Sequence, residues 1–228
     1  MKPRGPPTKP QIEELIDSFH TPQEKLAAEL GAFAGIRWRM IPSLSWSLNF
    51  SDCMGLPDGF VAKPARTPVK VRLLRRVGQM RLPHFTFLPE QGLRHLHETY
   101  LQVKDKVGEP TAHTLLPLGT QAIHEIPEKL RRRGLKTTDL RHYFVYSLVR
   151  GMYRGETDLT DEGLRFMLGY PPRQKDWRPD EGRLREGYRK LEQAYFTTIS
   201  QSKSEERNDL DRTFLKGTYE LIKGIKKD

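Results

Sequence analysis

Cysteine is all but missing. Cys53 is the only one in 228 residues, so no disulfide can form within the chain and no cysteine-based zinc site is possible. No apolar run approaches the ~18 residues that a membrane-spanning helix needs, so lipid could be met only through a surface patch. The opening Met1-Lys2-Pro3-Arg4-Gly5-Pro6-Pro7 is basic but has no apolar core, unlike a secretory leader. No internal repeat is visible. Together these absences predict a cytoplasmic chain. Acidic residues are the minority, 29 Asp and Glu against 39 Lys and Arg, a formal net charge of +10. Such a balance favours a polyanionic partner, nucleic acid above all, and also fits a ribosome-associated or merely basic protein. The length suits one large domain or one domain with arms.

What is present reads mostly as helix. Residues 1–9 form a basic, Pro-rich arm. Pro10 opens a helix whose apolar face is Ile12, Leu15, Ile16 and Phe19. Thr21-Pro22-Gln23-Glu24 is a capping box, starting a helix that carries Leu26, Ala27, Leu30, Phe33 and Ala34 inward and ends near Gly35. A further helical stretch runs from about Trp38 to Leu44, and residues 51–68 read as loop. Val69 to Arg76, a turn at Val77-Gly78-Gln79, and Met80 to Leu88 predict a β-hairpin. Leu93, Leu96 and Tyr100 mark the next helix, and Thr120 to Arg133 another, kinked or delayed by Pro127. Asp139 is placed to cap a helix carrying Leu140, Phe144, Val145 and Leu148. Leu164, Met167 and Leu168 mark a short helix. Residues 169–180 form a charged loop, and helix returns from Glu181 to about Ile199. Residues 201–228 read as a linker and a last amphipathic helix. The fold class is mainly α with a small antiparallel β-sheet.

Three blocks, in order, carry a resemblance. Ala34-Gly35-Ile36-Arg37 followed by Leu44-Ser45-Trp46-Ser47, then Asp139-Leu140-Arg141-His142, then Met167-Leu168-Gly169-Tyr170 resemble the motifs of the tyrosine recombinase (phage-integrase) catalytic domain. The hairpin falls in the gap where that family keeps one. The resemblance covers residues 10–200. It leaves only the nine-residue arm where full recombinases carry a helical core-binding domain, so the chain reads as a cut or a minimal single-domain form.

The resemblance implies a DNA strand transferase acting on double-stranded DNA, with no metal or other cofactor. In the family a tyrosine hydroxyl attacks a phosphodiester, forms a 3′-phosphotyrosine and frees a 5′-hydroxyl. Arg37 and Arg141 take the places of the two arginines that grip the phosphate, a task suited to the forked guanidinium. The nucleophile's usual spacing falls on Pro179, leaving Tyr188 and Tyr195, seven residues apart on one helix face, with Tyr195 preferred. Other positions depart from the pattern. Thr138 stands in place of His, Tyr170 in place of His or Trp, and Met40 in place of Glu. Arg76 replaces the general-acid Lys, a role Lys70 takes if the register differs. The hairpin run Lys70, Arg72, Arg75, Arg76 and Arg81 would follow the DNA backbone. Thr138, His142, Arg131, Arg132 and Arg133 are further DNA-binding candidates. Trp177 either supplies what Tyr170 lacks or anchors its loop. The last helix is a candidate for self-association on DNA.

Three readings compete, and geometry separates them. A recombinase needs Arg37, Arg141 and a tyrosine in one pocket. A degenerate recombinase-fold protein that only binds DNA needs the arginines together without the tyrosine. A basic RNA- or ribosome-binding protein with accidental matches would leave them far apart.

Overall fold

The structure is a computed structural model and describes residues 5–55, 59–60, 66–77, 80–108 and 120–197. The expected linker and last helix, and the first four residues of the N-terminal arm, lie outside them. Helix α1 (Lys9–Asp17) buries Ile12, Leu15 and Ile16, with Phe19 just beyond it. Helix α2 (Pro22–Ala32) starts at the expected capping box: the Thr21 hydroxyl accepts from Glu24 N at 3.2 Å, and the Glu24 carboxylate reaches back to Thr21 N.

Helix α2 is the centre of the core, packed against α4 (Glu90–Val107) and α6 (Thr137–Tyr153). Because it is covered on several sides, its charged residues must be paired inside. Glu29 is fully buried, accepting from Gln91 at 2.9 Å and lying 2.9 Å from His95 Nδ1. Glu24 meets Lys129 of α5 (Thr120–Arg132) at 2.5 Å. Helix α5 runs on through Pro127. Asp139 proves to be inside α6 rather than its cap: Lys136 is the cap, and the Asp139 carboxylate accepts from Lys136 N at 2.8 Å.

The stretch after α2 is tighter than an α-helix, a 3-10 segment Trp38–Ser43 followed by the single turn α3 (Trp46–Asn49). The expected loop contains a two-residue pairing, β1 (Met54–Gly55) with β2 (Gly59–Phe60). The main sheet is the expected hairpin, β3 (Val69–Val77) antiparallel to β4 (Met80–Leu88), in register from Val69↔Leu88 to Val77↔Met80. Val69, Val71 and Leu73 alternate into the core. The same alternation carries Arg75 inward, beside the cross-strand row of Leu88, Thr86, His84 and Leu82.

Helix α7 (Asp161–Met167) is capped by Thr160, whose hydroxyl accepts from Gly163 N at 3.2 Å. Helix α8 (Glu181–Leu191) gives way to a wider π-turn over Glu192–Phe196. This is a mainly helical fold with small antiparallel sheets, and no described helix is long and apolar enough to cross a membrane.

Candidate functional site

Arg37 follows α2 in extended backbone, just past Gly35, whose φ of +66° suits glycine. A side chain at Gly35 would also collide with Phe144, since an ideal Cβ sits 2.2 Å from its ring. This close approach brings the first motif onto α6. Arg141, on the first turns of α6, donates Nη1 to the Gly35 carbonyl and Nη2 to the Leu168 carbonyl at 3.1 Å. One guanidinium thus joins all three motif blocks.

The third block ends in a left-handed turn at Gly169, φ +76°, which swings Tyr170 back over the arginines. Arg37 Nη2 donates to the Tyr170 hydroxyl at 3.5 Å. Arg75 donates Nη1 to the Gly169 carbonyl at 2.8 Å and lies over the Tyr170 ring, 4.1 Å from its centroid. Arg37, Arg75 and Arg141 come from three separate segments and meet around one tyrosine.

Their mutual repulsion shows in their proton affinities. Burial and the neighbouring Arg37 lower Arg75 from its ordinary range and bring Arg141 down to about 10, with hydrogen bonding to Tyr170 partly offsetting both. Arg75 and Arg141 both stay cationic at neutral pH. Among the described residues, none of the three is paired with a carboxylate.

His84 completes the floor. It is buried under Gly169, where an added Cβ would lie 2.7 Å from its Nε2. Burial first, then Arg141, Arg75 and Arg37, push its imidazole down to about 4, so it is neutral here. Sequence reasoning missed His84. The usable signal was parity, since His84 shares the inward row of β4. Parity also singles out Arg75 from the five basic hairpin residues.

Other expected site residues lie elsewhere. Lys70, of opposite parity to Arg75, is 2.6 Å from Glu181 and 3.9 Å from Asp52, tied to α8 rather than to the arginine cluster. Arg72 is exposed beside Asp52 at 3.3 Å, and Arg81 is exposed. The Arg76 side chain lies outside the described residues; its backbone pairs with Arg81. Thr138 is exposed three residues before Arg141, on the same side of α6. His142 is half-exposed, 3.8 Å from Asp139. Arg131 and Arg132 face solvent around Glu128 at 2.8 and 3.7 Å, and Arg133 is exposed. Trp177 packs its ring 5.6 Å from Phe166 and anchors its loop.

The two expected nucleophiles are not brought to the arginines. The Tyr188 hydroxyl is buried and donates to the Phe33 carbonyl at 2.9 Å, with its ring stacked on Phe196. The Tyr195 hydroxyl donates to Glu156 at 2.8 Å, and burial together with that bond pushes it up to about 12. Tyr188 lies in the regular part of α8, and the π-turn after Leu191 turns Tyr195 off its line, so the seven-residue spacing no longer keeps the two side chains on one face. Tyr170 is the tyrosine whose hydroxyl the arginines meet.

With this geometry in view, comparison with known proteins bears on the fold. No protein-family model matches the chain, and no curated protein does. Among solved structures, an integrase from mycobacterium phage Brujita superposes with a TM-score of 0.55 at 13% identity, over 95% of this chain. The chain spans 63% of that integrase's length. At this identity the likeness shows a shared fold. The architecture is integrase-like.

Proposed function

We propose that this chain binds double-stranded DNA through the recombinase fold, seating one backbone phosphate among Arg37, Arg75 and Arg141. One observation carries the reading: three half-buried guanidinium groups converge with no carboxylate partner among the described residues. Gathering like charges costs free energy, and an anion entering the cluster recovers it. A phosphodiester fits because arginine forks donate paired bonds to its non-bridging oxygens. Arg72, Arg81, Arg131, Arg132, Arg133, Thr138 and His142 serve as outlying contacts. The RNA- or ribosome-binding reading expects the motif arginines apart, and they are together.

The test is binding to a duplex of about 30 base pairs across a salt series. Arg37→Ala and Arg141→Ala should each weaken binding tenfold or more and flatten the dependence of log K on log salt by about one. Unchanged affinity and slope in both would sink the reading.

A second reading, strand transfer, is favoured by the Tyr170 hydroxyl standing within the cluster. Its oxygen would bond to phosphorus while the bond from phosphorus to the 5′-oxygen breaks. The tyrosine proton leaves and the 5′-oxygen takes one up. Tyr195 or Tyr188 could attack only after giving up its present partner. A nicked suicide substrate separates the cases: a covalent adduct lost only in Tyr170→Phe, Tyr188→Phe or Tyr195→Phe names the nucleophile. No adduct with a bound cognate site leaves a degenerate, DNA-binding protein.

A further inference from the structure

The loop after Tyr170 is held more firmly than a connecting loop requires. Its start is fixed by buried Arg165, which donates Nε and Nη2 to the Pro171 carbonyl at 3.3 and 3.2 Å. Its middle is fixed by Glu162, a buried carboxylate of α7. Both Glu162 oxygens accept from Arg173 N, at 3.1 and 3.0 Å, and one accepts from Gln174 N at 3.3 Å. Its end is fixed by Trp177 against Phe166 and by Arg178, which donates to the carbonyls of Lys175 and Trp177 at 3.2 and 3.0 Å.

The choice of partner matters. Glu162 spends its oxygens on backbone N–H groups instead of on the loop's cations. Arg173 and Lys175 are left exposed, without a carboxylate partner among the described residues. Over residues 171–178 the loop carries Arg173, Lys175 and Arg178 against the single acid Asp176. With α-carbons 3.8 Å apart, Arg173 starts within about 11 Å of Tyr170. That reach covers about three phosphate steps along the duplex axis, since a strand advances about 3.4 Å along the axis per phosphate.

We propose that residues 171–178 form a prebuilt second contact to the DNA backbone, with Arg173 and Lys175 meeting phosphates that flank the one held at the arginine cluster. This rests on the DNA-binding reading. The pinning has a physical purpose here, because a loop ordered before binding loses less entropy on binding. Duplex DNA is the partner because the loop continues directly from the cluster and shares its sign of charge.

The experiment measures binding of the whole chain to a duplex of about 30 base pairs over a salt series, with circular dichroism to confirm each variant is folded. The double variant Arg173→Ala, Lys175→Ala should bind about tenfold or more weakly and lower the salt slope by about two. Glu162→Gln keeps every loop cation but weakens the pinning. It should bind more weakly with its slope unchanged. If the double variant keeps wild-type affinity and slope while Arg37→Ala and Arg141→Ala lose binding, the loop proposal fails and the arginine reading stands. Equal or tighter binding by Glu162→Gln overturns the prebuilt character of the contact. A wild-type chain that does not bind duplex overturns both.

Discussion

Arg37 points its Nη2 at the Tyr170 hydroxyl across 3.5 Å. An arginine from the first motif thereby meets a tyrosine standing where the resembled family keeps His or Trp. Arg75 lies over the Tyr170 ring and Arg141 reaches the Leu168 carbonyl two residues before it, so positive charge gathers around this tyrosine.

Arg141 is a strut and, in the proposed complex, also a phosphate ligand. It ties Gly35 to Leu168 while facing the cluster. Arg141→Lys keeps the charge but loses the fork. It should lower unfolding free energy by about 1–3 kcal/mol in urea titration, the cost of leaving a buried acceptor unmet. It should also weaken DNA binding about as much as alanine does.

Tyr188 should behave as a core residue. Its hydroxyl satisfies the Phe33 carbonyl and its ring lies between Phe87 and Phe196. Tyr188→Phe should cost about 1–3 kcal/mol of stability, and Tyr188→Ala about 3–5 kcal/mol. DNA affinity of the folded fraction should be unchanged in Tyr188→Phe, as read by anisotropy.

His84 gives the fold an acid-sensitive term. Its folded value of about 4 lies below its ordinary 6.5. Between these values the unfolded chain takes up a proton that the folded chain refuses, so stability rises with pH. The contribution is complete above pH 6.5 and is lost as pH falls through 4. It amounts to at most roughly 3 kcal/mol at 1.36 kcal/mol per unit. Urea midpoints taken from pH 7 to pH 4 should fall less steeply in His84→Gln than in the parent.

Gly169 sets the position of Tyr170. Its left-handed backbone and its contact with His84 leave no room for a Cβ. Gly169→Ala should destabilise the chain by more than ~1 kcal/mol and weaken DNA binding, because the turn that brings Tyr170 over the arginines must shift. Gly155 offers a control: its φ of +68° is equally left-handed, but its Cβ would meet nothing. Gly155→Ala should cost stability without touching DNA affinity.

Local signals carried much of this architecture. The Thr21 capping box, the apolar faces of α1 and α4 and the existence of the hairpin follow from period and turn chemistry, which act over a few residues, although Val77, expected in the turn, pairs with Met80 in the strand. The pairing of Arg37 with Arg141 was legible because each lies in its own motif. Arg75 and His84 were not, because their meeting depends on which face of β3 and β4 turns inward beside a turn ninety-odd residues away. The assignment of Tyr188 and Tyr195 to one face assumed a regular α-helix, and the π-turn at Glu192–Phe196 removes that regularity. Asp139 read as a cap because acids favour both the cap and the first turn, and the structure puts it in the turn.

Arg37, Arg75 and Arg141 are proposed to grip one DNA phosphate. The most direct measurement is the NMR spectrum of the arginine Nε–H groups, assigned by single Arg→Lys variants, on titrating in a short duplex. These three resonances should shift and become protected from exchange with water, ahead of those of Arg131, Arg132 and Arg133. If the outlying arginines shift while Arg37, Arg75 and Arg141 stay in place, the cluster does not hold the phosphate.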